Sequence, residues 1–176
     1  GAWIHRADVA GLDALLGHWS VGIPITLLVT AGIANGFNLI DGVNGLASLT
    51  GVIAALALAC IAESASYGPM VSLTLMFAAV LIGFFVWNFP FGRIFLGDGG
   101  AYLAGFWVAA CAVLLLNRNP DVSTWAVLLS ALYPVWETVY SMYRRRVVSR
   151  VQTGLPDQGH LHHLVYRAIR QGGHVP

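Results

Sequence analysis

Charged side chains are scarce in this sequence of 176 residues. Only 10% of the residues are charged and 57% are hydrophobic, with a mean hydropathy of +0.72. Lysine is absent, so all nine basic residues are arginine, and the formal net charge is only +1. A water-soluble domain of this length carries a more polar surface, and a nucleic-acid-binding protein carries a larger basic excess. The composition therefore indicates an integral membrane protein and excludes nucleic acid as its partner.

Cysteine is also rare, with only Cys60 and Cys111 in the chain. Each lies within an apolar stretch, where cysteine behaves as a small hydrophobic residue that packs against a neighbouring helix. We therefore predict neither a disulfide nor a cysteine metal site.

Long apolar runs fill most of the sequence. A helix needs about 20 mostly apolar residues to cross the hydrocarbon of a bilayer, and five stretches meet this length: roughly 20–37, 46–63, 69–88, 99–117 and 122–142. The alternation expected of a membrane β-barrel is missing from them. The predicted fold is an all-α, polytopic transmembrane helix bundle that occupies residues 1–176 as a single domain.

The arginines orient this predicted bundle. With five spans, most arginines fall on one side of the membrane and only Arg6 and Arg118 fall on the other. Because cytoplasmic loops carry the excess of basic residues, we predict that the first side is cytoplasmic. It contains the loops 38–45 and 89–98 and the segment 143–176.

The first polar segment on this side contains Asn35, Asn38, Asp41 and Asn44, which follow one another at intervals of three residues. Such spacing places side chains on one face at the end of a helix. Carboxylates and carboxamides at a membrane boundary bind a nucleotide base or a cation. Asn and Asp beside glycine are also ordinary turn residues, so both interpretations remain open for this segment alone.

The second polar segment, residues 88–100, places Asp98 between glycines just before an apolar helix. Glycine lets a ligand approach the backbone closely, and Mg²⁺ is usually held by one or two carboxylates together with phosphate oxygens and water. Asp98 also fits a helix N-cap with no further role. Arg93 fits a contact with phosphate or a lipid headgroup, but we favour the positive-inside boundary as its explanation.

The third polar segment contains His160, His162 and His163 downstream of the arginines at 144–146. A zinc site is disfavoured because its ligands usually come from separate parts of a chain. Imidazoles beside arginines suit phosphate recognition, since protonated histidine donates charge-assisted hydrogen bonds. A basic loop attracted to anionic lipid accounts for the arginines but leaves the histidines unexplained.

Together these segments resemble the polyprenyl-phosphate N-acetylhexosamine-1-phosphate transferases, a family within glycosyltransferase family 4 that includes the phospho-MurNAc-pentapeptide transferases. Three motifs carry the resemblance: Asn-x-x-Asn-x-x-Asp-Gly-x-x-Gly-Leu at 35–46, Phe-Leu-Gly-Asp-Gly-Gly at 95–100, and Asp-x-x-His-x-His-His at 157–163. Two positions depart from the family pattern. Asn44 stands where many members have aspartate, and Ala101 stands near a frequent serine.

The resemblance implies a role for each polar residue. It implies that Asp98 binds Mg²⁺, or Mn²⁺ in its place, with help from Asn38, and that Asn38, Asp41, Asn44 and Phe95 lie near the nucleotide. Asn35 and Arg93 complete the expected substrate-binding set. The residues expected to be catalytic are Asp98, Asp41, His160, His162 and His163.

The activity implied is transfer of a sugar 1-phosphate, expected to be N-acetylhexosamine 1-phosphate, from a UDP-sugar to undecaprenyl or another polyprenyl phosphate. This step initiates a lipid-linked glycan of the cell envelope, such as O-antigen or a related lipopolysaccharide. The alternative within the family is phospho-MurNAc-pentapeptide transfer in peptidoglycan synthesis. Rivals from other classes are a transporter, which places charged residues near the bilayer midplane, and a non-catalytic scaffold.

The implied location is the bacterial inner membrane, with the site facing the cytoplasm and in contact with membrane lipid. A homodimer is left open. The paired aspartates that the family carries on an earlier cytoplasmic loop have no counterpart before Asn35. We therefore expect the sequence to be a piece of a longer protein and to be inactive by itself.

Overall fold

The computed structural model describes residues 2–144 and 146. Within these residues all regular secondary structure is helical, which confirms the predicted all-α class. The helices are α1 (Leu12–Leu16), α2 (Trp19–Ile40), α3 (Leu46–Ser64), α4 (Gly68–Asn88), α5 (Gly97–Arg118), α6 (Thr124–Ser130) and α7 (Leu132–Tyr143).

Four helices, α2 to α5, are long and apolar enough to cross a membrane. They have 19 to 22 residues each, and they coincide with the first four predicted spans to within three residues at either end. The chain is thus a multi-pass helical membrane protein. Successive helices run antiparallel, so the loops 41–45 and 89–96 lie together at one end of the bundle, which we call the site end. The opposite end is the far end.

The predicted span 122–142 is interrupted. It consists of α6 and α7, which meet at Ala131, where the backbone leaves the helical region with φ −110° and ψ 17°. Pro134 explains the break, because proline has no N–H and its ring clashes with the carbonyl four residues earlier. In the first turn of α7, proline costs nothing, since the N–H groups there have no intrahelical partner.

Helix α2 lies at the centre of the bundle and contacts α5 and α7 through glycines. A β-carbon at Gly36 would lie 2.3 Å from the Pro134 carbonyl oxygen, and one at Gly105 would lie 2.6 Å from the Cα of Ala34. Phe37, between these contacts, is fully buried. Within a bilayer, helices associate through such close backbone packing because lipid tails are as apolar as the side chains.

The far end is closed by the N-terminal segment. The Arg6 guanidinium donates to the carbonyls of Asn119, Pro120 and Val122 in the turn between α5 and α6. Asp8 accepts a hydrogen bond from the backbone N–H of Thr124 at 2.6 Å, at the start of α6. These contacts place Arg6 at the same end as Arg118, as the arginine distribution predicts.

Replacing Gly36 with alanine is expected to destabilise the bundle. The new methyl group would collide with backbone of α7, and overpacking of this kind costs about 1–3 kcal/mol. Gly32 provides a matched control in the same helix, because a β-carbon there has no neighbour within 4 Å. Alanine at position 32 gains about 1 kcal/mol of helix propensity and creates no clash.

Thermal unfolding in detergent, followed by circular dichroism, measures both effects. The Tm should fall for Gly36→Ala and should be unchanged or higher for Gly32→Ala. Equal Tm values for the two variants would show that α2 and α7 are not in close contact.

Candidate active site

Asn88 joins the two loops at the site end. It is the last residue of α4 and only 3% exposed. Its Nδ2 donates to the carbonyl of Ile94 at 2.6 Å, and its Oδ1 accepts the backbone N–H of Gly45. Gly45 has φ +80°, a conformation that glycine adopts without strain. One buried carboxamide therefore fixes loop 41–45 against loop 89–96.

Asn44 adds a second link between these loops. Its Nδ2 donates to the Pro90 carbonyl at 2.9 Å, and a β-carbon at Gly92 would lie only 2.6 Å from its Oδ1. The side chain predicted to lie near the nucleotide is thus also a structural bridge. The nucleotide contact of Asn44 stays a prediction.

Asp41 and Asp98 come together where α2 ends and α5 begins. The Oδ2 of Asp41 accepts the backbone N–H of Gly97 at 3.0 Å. Gly97 itself has φ +64°, a left-handed conformation that explains the glycine before Asp98. Asp98 follows in the first turn of α5 with its side chain exposed. Two carboxylates from separate sequence motifs therefore share one end of the α2–α5 contact.

Burial raises the pKa of the Asp41 carboxyl above its ordinary value. Hydrogen bonds from the backbone N–H groups of Gly97 and Leu96 oppose this change, and the negative charge of Asp98 adds to it. Asp98, one residue after Gly97, is thus near enough for its charge to act on the Asp41 carboxyl. A bound cation would relieve their repulsion.

Asn38 contacts a residue that carries no predicted role. Its Nδ2 donates to the hydroxyl of Tyr102 at 3.3 Å. Asn35, one turn earlier on α2, is half-buried. Asn38 and Asp41, three residues apart, thus both contact the first turns of α5. A place for Asn35 in the same strip stays a prediction.

Aromatic and basic side chains form the exposed rim of the site. Phe95 is 51% exposed, three residues before Asp98. Arg93 lies 5.6 Å from the centre of the Phe91 ring, in a cation–π contact. Phe95 and Arg93, both expected to bind substrate, are therefore exposed in the same loop, where a ligand in water or in the headgroup layer can reach them.

The predicted histidines, His160, His162 and His163, lie outside the described residues, and their roles stay predictions. Among residues 2–144 and 146, no three His, Cys, Asp or Glu side chains are close enough to form a metal cluster. Mg²⁺ requires less, because one or two carboxylates plus substrate oxygens and water suffice. Asp41 and Asp98, brought to the same place by the hydrogen bond from Gly97 to Asp41, fit that requirement.

An apolar groove of about 500 Å³ begins beside loop 41–45. It lies between α3 and the junction of α6 with α7. Its lining includes Leu46, the first residue after the loop, and Ile53, two turns further into the membrane; Leu129, Tyr133 and Trp136 form the opposite wall. The break at Ala131 thus borders an apolar space that extends from the polar site into the bilayer.

Two residues of the site were missed by the sequence analysis. Asn88 is the first residue of the second polar segment, 88–100. Nothing in its sequence environment distinguishes an asparagine that links two loops from one that only ends a helix. Tyr102 lies inside an apolar run, where tyrosine is an ordinary residue near a membrane boundary. Its spacing of four from Asp98 is the available signal, since residues four apart share a helix face.

Removing the Asn88 carboxamide is expected to destabilise the protein. Asn88→Ala leaves the Gly45 N–H and the Ile94 carbonyl without partners, at about 1–3 kcal/mol for each group that stays buried. Asn44→Ala removes one more exposed hydrogen bond and should cost about 1 kcal/mol or less. Thermal unfolding should show a clearly larger fall in Tm for Asn88→Ala. A larger fall for Asn44→Ala would show that Asn88 is not the main link between the two loops.

Comparison with known proteins identifies relatives of this chain. Residues 4–116 match the model of glycosyl transferase family 4. The chain is 32% identical over 141 residues to a probable undecaprenyl-phosphate N-acetylglucosaminyl 1-phosphate transferase of Bacillus subtilis, covering 80% of this chain and 39% of that protein. It is 31% identical over 138 residues to the undecaprenyl-phosphate alpha-N-acetylglucosaminyl 1-phosphate transferase of Thermotoga maritima, covering 78% and 41% respectively.

A relative from the other branch is the phospho-N-acetylmuramoyl-pentapeptide-transferase of Streptococcus equi subsp. zooepidemicus, 32% identical over 135 residues, with 73% of this chain and 38% of that protein covered. The chain spans about two fifths of the length of these curated relatives. The match to the family model covers more than half of the chain and includes both loops of the site. The chain belongs to glycosyl transferase family 4.

Proposed function

We propose that the protein carrying this chain transfers N-acetylhexosamine 1-phosphate from a UDP-sugar to polyprenyl phosphate. The observation that carries the proposal is the pairing of Asp41 with the start of α5, which brings it close to Asp98. The names of the relatives from Bacillus subtilis and Thermotoga maritima give undecaprenyl phosphate as acceptor and an N-acetylglucosaminyl 1-phosphate group as the group transferred.

In the proposed reaction, an oxygen of the lipid phosphate attacks the β-phosphorus of the UDP-sugar. The bond between this phosphorus and the bridging oxygen breaks, UMP leaves, and a lipid-linked diphosphate forms. Asp98, with Asn38 and Asp41, would hold Mg²⁺, and the ion would supply positive charge for the phosphoryl oxygens and the leaving group. Mn²⁺ has the same preference for oxygen ligands.

The apolar groove supports a lipid as acceptor. It begins at Leu46, directly after the loop that carries Asp41, and is lined mainly by aliphatic and aromatic side chains. We propose that it holds the first isoprenoid units of the polyprenyl chain, so that the phosphate of the same lipid reaches the polar loops. The reaction would then take place at the membrane surface.

The proposed location is the bacterial inner membrane with the site end in the cytoplasm. Arg93 lies at the site end, whereas Arg6 and Arg118 lie at the far end. The arginines at 144–146 belong to the segment predicted to be cytoplasmic, and on that prediction they would add to this excess of basic residues. A soluble nucleotide sugar is available on that side. Homodimer formation and inactivity of the 176-residue chain by itself stay predictions.

Phospho-MurNAc-pentapeptide transfer is the second candidate, because the relative from Streptococcus equi subsp. zooepidemicus bears that name. The two candidates share acceptor and mechanism and differ in the sugar. A transporter is disfavoured, since α2 to α5 carry charged residues only near their ends: Asp98 near the start of α5, Glu63 near the end of α3 and Arg118 at the end of α5.

Transfer of radiolabelled sugar phosphate to undecaprenyl phosphate tests the proposal. Membranes containing the complete protein that carries this chain are supplied with UDP-N-acetylglucosamine or UDP-MurNAc-pentapeptide, with Mg²⁺ or with EDTA. We expect Mg²⁺-dependent product from one donor. Asp98→Asn should lower the rate by about 100-fold or more, because an electrostatic contribution to the transition state is lost.

The control is Asp121→Asn, which changes an exposed carboxylate in the turn at the far end. It should leave the rate unchanged. Equal rates for wild type and Asp98→Asn would show that Asp98 has no catalytic role. Product formation that persists in EDTA would show that the reaction does not require a divalent metal ion.

A further inference from the structure

Tyr102 lies beside the predicted catalytic groups although neither the motifs nor the proposed mechanism assigns it a role. It belongs to the second turn of α5, four residues after Asp98. Residues four apart share one face of a helix. Side chains of an α-helix also lean toward its N-terminus, so the Tyr102 ring covers the turn that contains Asp98. The phenol therefore points toward the site.

The hydrogen bond with Asn38 fixes where the hydroxyl lies. Asn38 Nδ2 donates to the Tyr102 oxygen at 3.3 Å, across the contact between α2 and α5. A parallel bond joins Asp41 to Gly97 one turn closer to the loop. The Tyr102 hydroxyl thus lies between the end of α2, with Asn38 and Asp41, and the first turn of α5, with Asp98. We propose that these side chains contact the substrate.

The hydroxyl keeps a free donor. A phenol donates one hydrogen bond and also accepts. Its oxygen accepts from Asn38, and among the described residues no acceptor for its own proton is present. The side chain is 43% exposed at this point, so a ligand can reach it. A donor held in place next to carboxylates is suited to an anionic partner, because the carboxylates themselves only accept.

We propose that Tyr102 is a further substrate-binding residue, whose hydroxyl donates a hydrogen bond to a phosphoryl oxygen of the bound substrate. The inference rests on the proposed function, in which two phosphate groups meet at this site. The phosphoryl oxygen belongs either to the diphosphate of the nucleotide sugar or to the phosphate of the lipid.

Tyr102→Phe tests this role because it keeps the ring and removes only the hydroxyl. The complete protein, purified in detergent with Mg²⁺, is titrated with UDP and with uridine. Loss of a hydrogen bond to a charged group should weaken UDP binding by about tenfold, while uridine binding stays unchanged. In the transfer assay, a contact with the lipid phosphate would instead raise the KM for undecaprenyl phosphate by a similar factor.

Tyr67→Phe is the matched control, since it removes a tyrosine hydroxyl at the far end, before α4. It should change neither binding nor KM.

Three results would overturn the assignment. The first is unchanged UDP affinity together with unchanged KM for both substrates. The second is an equal loss of UDP and uridine affinity, which would indicate a general change in the pocket. The third is a wild-type protein that binds neither UDP nor uridine, which would overturn the proposed function and the role of Tyr102 with it.

Discussion

The site depends on the close contact between α2 and α5. Gly105 lets the backbone of α5 approach Ala34 so closely that a β-carbon would lie 2.6 Å from its Cα. Toward the site end the same contact continues into the hydrogen bonds from Asn38 to Tyr102 and from Gly97 to Asp41. An apolar packing contact inside the membrane thereby sets the spacing of polar groups at its surface.

The polar groups at this end are arranged at an energetic cost. Asp41 is held close to Asp98 although burial and like charge both favour its neutral form. The buried Asn88 side chain keeps loops 41–45 and 89–96 together, and both its donor and its acceptor are used. Carboxylates with a perturbed pKa are typical of functional sites, where local interactions are often less favourable than elsewhere in the fold.

Most of the fold follows from apolar length, and the first four spans are therefore predictable from the sequence. The break at Ala131 is not, because the run from 122 to 142 is mainly apolar on both sides of it and only Pro134 marks the discontinuity. Motif spacing predicts the strip formed by Asn35, Asn38 and Asp41. It does not predict that Asn88 bridges the loops or that Tyr102 contacts Asn38, since both depend on which helices are neighbours.

Coupling between Asp41 and Asp98 in metal binding tests the central claim most directly. Mn²⁺ affinity of the complete protein is measured by electron paramagnetic resonance for wild type, Asp41→Asn, Asp98→Asn and the double variant. If the two carboxylates serve one cation, the second substitution should cost much less affinity than the first. Losses that simply add, or an affinity that none of the variants changes, would show that the two residues do not form one site.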